Sequence, residues 1–286
     1  WAEPLFAKLN LPQEIMQELI FPGEVIGNIT ENIKRETGID YSIPITAVGS
    51  HDTASAVAAT PLTDSKNSIY ISSGTWSLLG MELPKPFITK ESQNENFTNE
   101  CGVGQKIRFL KNISGLWLIQ ECRRSWKRQG LDLSYDQISL AAEQAPAFKA
   151  KIDPDDSRFL NPEDMPSAIE AYLRETNQSV PTSYGAMARC VYESLAASYA
   201  KTISKLEQMI DTKIETIHMV GGGIQAEILC QFTANATKRR VITGPIEATA
   251  MGNILVQLMA KGEISNLAEG RELVKRSVKL NEYIPE

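Results

Sequence analysis

Asp52, in the run GSHDT over residues 49–53, is the residue best placed by type to move a proton. A carboxylate in a turn that closes a short apolar strand stands where open α/β sheets place ligands, and there it can accept a proton from a substrate hydroxyl. His51 and Thr53 add polar reach on either side. The alternative is that Asp52 caps the following helix, as aspartate often does before an alanine-rich run. Gly74 and Thr75, in SSGTW, offer backbone N–H groups and a hydroxyl that suit phosphate oxygens, or form an ordinary hairpin turn. Gly221, Gly222 and Gly223 follow TIHMV and open a helix, so bare backbone can come close to a flat or anionic ligand. Tight strand-to-helix packing explains them equally well, since their spacing is that of neither a dinucleotide fingerprint nor a Walker A loop. Asn112 and Gln120, with Trp117 between them, can hydrogen-bond a sugar hydroxyl or a nucleotide, or stand as surface amides. His218, inside an apolar run, reads as a satisfied core histidine. With two histidines in the chain and no His-x-x-x-His pair, a histidine-based metal site is disfavoured.

The elements that must position these residues follow from periodicity. Leu5, Leu9, Ile15 and Leu19 recur at roughly helical spacing between Pro4 and Leu19, and FPGEVIGNIT is a turn followed by a short extended segment. A helix over Glu31–Thr37 ends at Gly38. A strand at Ile45–Val48 leads through the GSHDT turn into a helix with Thr53 near its start. A second strand, Ser68–Ser72, turns at residues 72–75 into a third. The polar stretch Pro84–Gln105, which carries NFTNE, is predicted as a loop. RFLKN then resumes structure, and Gly115 precedes a helix to about Gln129. Met187, Val191, Leu195, Tyr199, Ile203, Leu206 and Ile210 give a long helix over Tyr184–Ile210 with one buried face. The strand TIHMV, the glycine turn, a helix to Thr237, the strand VITGP and the helix EATAMGNILVQLMA follow. The pattern is α/β with a mixed β-sheet flanked by helices.

The 286 residues carry a formal charge of −6, which offers no long-range attraction to nucleic acid or an anionic membrane. Hydrophobic residues make up 42% of the chain, enough for a soluble body with a sizeable core. The four cysteines are far apart with no Cys-x-x-Cys pair, which points to a reduced, cytoplasmic setting and away from a zinc ribbon or disulfide framework. No apolar run reaches membrane-spanning length. The first residue is Trp1, and the opening reads as a helix joined in mid-course, so a fragment of a longer protein is expected.

Taken in order, GSHDTASAV, YISSGTWSL, NFTNE, RFLKNISGLWLIQECRR, HMVGGGIQ and GPIEATAMGN resemble the FGGY family of carbohydrate kinases, and within it the rhamnulokinase type, from Gly49 to Gln257. The resemblance implies an actin-like ATPase, ribonuclease H-like lobe, with residues 1–50 the tail of an N-terminal sugar-binding lobe and 51–286 the C-terminal nucleotide-binding lobe. It implies that Asp52 is the proton acceptor, that His51, Thr53 and Asn112 join it around the sugar, and that Thr75, Gln120 and Gly222 contact ATP. The implied partners are ATP, Mg2+ and a small-molecule sugar, L-rhamnulose, phosphorylated at its 1-hydroxyl. The family's glycine-rich phosphate loop, most of its sugar contacts and its usual magnesium-associated carboxylate have no counterpart in this chain, so the chain alone is expected to be inactive. The family usually has asparagine two residues beyond Ile224, where this chain has Ala226, so one polar contact near the nucleotide is missing. The alternatives are another ketose or polyol kinase of the family, or a non-catalytic actin-like ATP-binding module.

Overall fold

The computed structural model describes residues 1–62, 64 and 66–286. The apolar spacing at the start of the chain makes one short helix, α1 (Glu3–Leu9), and not a continuous one. Asn10 takes a left-handed conformation (φ 52°) that ends the helix, and Pro12 two residues on prevents it from resuming. After a short 3-10 turn come β1 (Val25–Asn28), α2 (Glu31–Thr37) and β2 (Pro44–Thr46). Thr30 caps α2 by accepting from the Ile33 N–H at 3.4 Å, and Gly38 closes it in the left-handed region (φ 73°). Among the described residues β1 and β2 pair only with each other, as an antiparallel ribbon.

From α3 (Asp52–Ala59) onward the chain builds one body. The hairpin β3 (Ser68–Ser73) and β4 (Trp76–Leu83) is followed by α4 (Lys90–Asn94), β5 (Thr98–Cys101) and β6 (Ile107–Ser114). NFTNE is therefore partly an edge strand: Thr98–Cys101 pairs antiparallel with β6, and the preceding loop holds a helix whose Thr89 and Ser92 form a reciprocal cap. Four helices come next, α5 (Trp117–Arg128), α6 (Tyr135–Gln144), α7 (Met165–Glu175) and α8 (Tyr184–Ile210). β7 (Thr216–Val220), α9 (Glu227–Thr237), β8 (Arg240–Thr243), α10 (Ala248–Ala260), α11 (Leu267–Ser277) and β9 (Asn281–Tyr283) complete the order.

The seven-stranded sheet runs β5-β6-β4-β3-β7-β8-β9. β3, β7 and β8 are parallel and the outer strands antiparallel, so the sheet is mixed. Side chains alternate across it. Ile69, Ile71, Phe109, Ile217 and Met219 face the layer of α5 to α9 in the main core. Tyr70, Leu110 and Val220 face the opposite layer, which contains α3, α10 and α11. The three parallel strands end side by side, which sets the turns after β3 and β7 next to each other.

Candidate functional site

Those two turns are locked together by close backbone approach. Gly221 needs its left-handed φ of 88°, and its N–H donates to the Pro245 carbonyl at 3.1 Å. A Cβ at Gly223 would lie 2.2 Å from Ser73 Oγ, so this glycine is required by the neighbouring turn. A Cβ at Gly222 would meet nothing nearer than Gln225 Nε2 at 4.0 Å, which leaves its backbone bare. The β3–β4 turn is held from the other side by the start of α5. Gly115 and Trp117 donate their N–H groups to the Thr75 carbonyl at 3.2 and 3.1 Å, and Leu116 donates to the Gly74 carbonyl at 3.0 Å. With its carbonyl so fixed, Thr75 turns its hydroxyl to Gln120, Oγ1 donating to Oε1 at 3.3 Å.

Thr75, Gln120 and Gly222 line one cavity of about 530 Å³ at the carboxyl ends of β3 and β7. Three residues far apart in sequence meet there. The wall also includes Ser134, Tyr135, Asp136 and Ser139 at the start of α6, Tyr192 of α8, and Ala226. Sequence reasoning missed the α6 residues, although Ser134 and Gln137 form a capping box that marks a helix start. Burial raises the Tyr192 phenol above its ordinary range, so it stays a neutral wall.

His51, Asp52 and Thr53 lie in the layer on the other face, at the start of α3. His51 is the residue before the helix, and Asp52 is its first residue. The N-cap position belongs to His51, which makes no side-chain cap bond, and Asp52 Oδ1 accepts from the Thr53 N–H at 2.7 Å. Its side chain is nevertheless 76% exposed, whereas Thr53 is buried. The strand that precedes this turn belongs to the β1–β2 ribbon, so the backbone at Asp52 is positioned by helix packing and not by the main sheet. Ser55 Oγ donates to the Gly49 carbonyl at 2.8 Å, and Thr249 Oγ1 of α10 donates to the Asp52 carbonyl at 3.3 Å. A Cβ at Gly252 of α10 would sit 1.8 Å from the Ser55 carbonyl oxygen, so the two helices touch backbone to backbone.

His51 bridges Asp52 to the edge of the sheet. Its Nε2 is 3.2 Å from Asp52 Oδ1, and its Nδ1 is 3.5 Å from both Glu100 Oε2 and Arg108 Nη2. Arg108 Nη2 donates to Glu100 Oε2 at 2.9 Å, and its Nε donates to the Cys101 carbonyl at 3.2 Å. Glu100 sits in the NFTNE stretch and Arg108 opens RFLKN, and only the β5–β6 pairing unites them.

Asn112 stands exposed on β6 opposite Leu78 and lies in neither group. Trp117 does not join it to Gln120, because the indole N–H donates to the Phe159 carbonyl at 3.0 Å. His218 is buried, but both ring nitrogens lack a hydrogen-bond partner among the described residues, so the core histidine is not a satisfied one. All four cysteines are free. Among the described residues no helix is long and apolar enough to cross a membrane, and no group of three or more His, Cys, Asp or Glu side chains is arranged to hold a metal ion.

Residues 69–261 match the FGGY family of carbohydrate kinases, C-terminal domain. A rhamnulokinase of Bacteroides thetaiotaomicron is 45% identical over 99% of this chain and 57% of its own length. One of Oceanobacillus iheyensis is 41% identical over 99% of this chain and 58% of its own. The chain thus spans somewhat under three fifths of the curated relatives it matches. Among solved structures, a ligand-bound xylulose kinase from Lactobacillus acidophilus superposes with a TM-score of 0.72 at 18% identity, covering 100% of this chain and 56% of that one. That likeness shows a shared fold.

Proposed function

This chain belongs to the FGGY family of carbohydrate kinases, and we propose that it is the nucleotide-binding lobe of an ATP-dependent L-rhamnulose kinase, with Asp52 as the proton acceptor. The observation that carries the reading is the convergence of Thr75, Gln120 and Gly222 on one cavity. The name shared by relatives 41–45% identical to the chain supports the sugar. In this reading residues 1–50 end a preceding lobe and 51–286 form the second, and the part of the relatives' length not spanned here faces the cavity.

The residues present fit a nucleotide. The bare Gly222 backbone admits phosphate oxygens at a distance a side chain would prevent, while the Thr75 hydroxyl and Gln120 amide supply neutral hydrogen bonds. Bound ATP supplies the phosphoryl group that is transferred. Asp52 takes the proton of the attacking sugar hydroxyl, and its exposure leaves the carboxylate open to a substrate from outside the chain. His51 borders the sugar beside it, whereas Thr53, which is buried, and Asn112, which stands apart on β6, are assigned to the sugar by the family resemblance alone. No ready set of carboxylate ligands for magnesium stands among the described residues.

The test is ATP- and magnesium-dependent phosphorylation of L-rhamnulose, L-fuculose, D-xylulose and glycerol by the full-length protein. L-Rhamnulose is expected to be preferred, and Asp52→Asn is expected to lower kcat by roughly 10²–10⁴-fold, equivalent to about 3–5 kcal/mol of barrier. Preference for another sugar would remove the rhamnulose assignment, and near-normal turnover by the variant would remove the role of Asp52. ATP binding without phosphorylation of any of the four would favour a non-catalytic binding module.

A further inference from the structure

An arginine side chain carries only donors, so its contact with His51 constrains where the imidazole proton sits. Arg108 Nη2 lies 3.5 Å from His51 Nδ1, which in that contact must be the acceptor. The proton of the neutral ring then belongs on Nε2, which faces Asp52 Oδ1 at 3.2 Å. The opposite tautomer would give Nδ1–H to Glu100 Oε2, also 3.5 Å away, but it would set the Nε2 lone pair against the Asp52 carboxylate. Glu100 Oε2 already accepts from Arg108 at 2.9 Å. Arg108 is 2% exposed and tied at Nε to the Cys101 carbonyl, so its planar fork cannot readily turn away.

We propose that Arg108, anchored by Glu100, is a positioning residue that holds His51 in its Nε2–H tautomer, so that the ring donates to Asp52 and holds that carboxylate in one orientation. The catalytic meaning rests on the reading of Asp52 as proton acceptor, whereas the tautomer does not. The arrangement makes a two-strand edge, β5–β6, part of the machinery around a helix start on another element.

The test is 15N NMR of the imidazole nitrogens in this chain, uniformly labelled, at a pH well above the ordinary histidine range. The chain has two histidines, so His51→Gln identifies the signals by subtraction. In the unaltered chain Nδ1 of His51 is expected to be unprotonated and Nε2 protonated. Arg108→Met is expected to move the proton toward Nδ1, because Glu100 then becomes its free partner. Should that variant fail to fold, Arg108→Lys keeps the buried charge but not the fork and is expected to shift Nδ1 in the same direction. A protonated Nδ1 in the unaltered chain, or an Nδ1 signal indifferent to the folded variant, overturns the proposal. If the signal moves as expected while Asp52→Asn leaves turnover of the full-length kinase intact, the tautomer assignment stands and the proton-acceptor reading falls.

Discussion

A methyl group added at Gly223 would meet Ser73 Oγ at 2.2 Å and the Ser73 carbonyl oxygen at 2.8 Å, whereas one added at Gly222 would meet open space. Gly223→Ala is therefore expected to destabilise the fold by about 1–3 kcal/mol, the usual cost of forcing extra volume into a packed site. Gly222→Ala should leave the thermal midpoint unchanged but raise the KM for ATP in the intact kinase by roughly tenfold, equivalent to about 1.4 kcal/mol. Midpoints from thermal melts beside KM values separate the two. The run of three glycines did not by itself distinguish these roles, because the partner that decides them, Ser73, lies in another turn. His218 tests burial in the same way. Desolvation by burial, aided by Lys275, Arg240 and Arg271, pushes its imidazole down from 6.5 to about 4. Its folded value lies below its unfolded one, so the stability from keeping it neutral is complete above pH 6.5 and is lost as pH falls toward about 4, amounting to about 3 kcal/mol. His218→Leu should remove that component, and urea unfolding of both chains across this pH window should show their free-energy difference changing by about that amount.

α3 has eight residues, too short to be stable without its neighbours, and its last turn is held by α11. Arg271 donates from Nη2 to the Val57 carbonyl at 2.9 Å and from Nε to the Ala58 carbonyl at 3.3 Å. The same Nη2 lies 2.9 Å from Glu82 Oε2 of β4, a carboxylate that is almost fully buried. A cation there satisfies the carbonyl end of the helix and the charge on the sheet at once. Arg271→Met leaves Glu82 buried and unpaired, so it is expected to cost about 3–5 kcal/mol in chemical unfolding. Adding Glu82→Gln should recover part of that loss, because the uncompensated charge is gone. If the double variant were no more stable than the single one, the carbonyl bonds and not the ion pair would hold the helix. Some elements were legible locally: α2 begins at a threonine cap and ends at Gly38, and α8 shows its buried stripe over Tyr184–Ile210. β5 was not, because Thr98–Cys101 is mostly polar and becomes a strand only by pairing with β6. Nor did the spacing before Leu19 reveal the break at Asn10, where a left-handed residue outweighs the apolar repeat.

At the scale of the molecule, alternation of helix and strand indicated a mixed sheet between helices, but strand order depends on pairings that no local pattern encodes. The strand expected before the GSHDT turn illustrates this: it forms, as Pro44–Thr46, yet joins β1 in a separate ribbon. Residues 1–48 as a whole contribute no buried side chain, and Trp1, Leu9, Ile15, Leu19, Phe21 and Ile26 are exposed. Apolar groups left in water contribute no burial free energy, so this segment cannot add much to the stability of the three-layered body. The first side chain from this end to pack on that body is Val48, against Ala58, Val103 and Val256. A chain lacking residues 1–40 should therefore melt within about 2 °C of the full 286 residues, since a loss of 1 kcal/mol would already shift a domain of this size by roughly 2–4 °C. It should also bind less of a hydrophobic dye such as ANS, because the exposed apolar face goes with the segment. A drop in midpoint well beyond that margin would mean that the ribbon and its helices hold the Asp52 turn in place, and the boundary proposed at residue 50 would have to move toward the amino terminus.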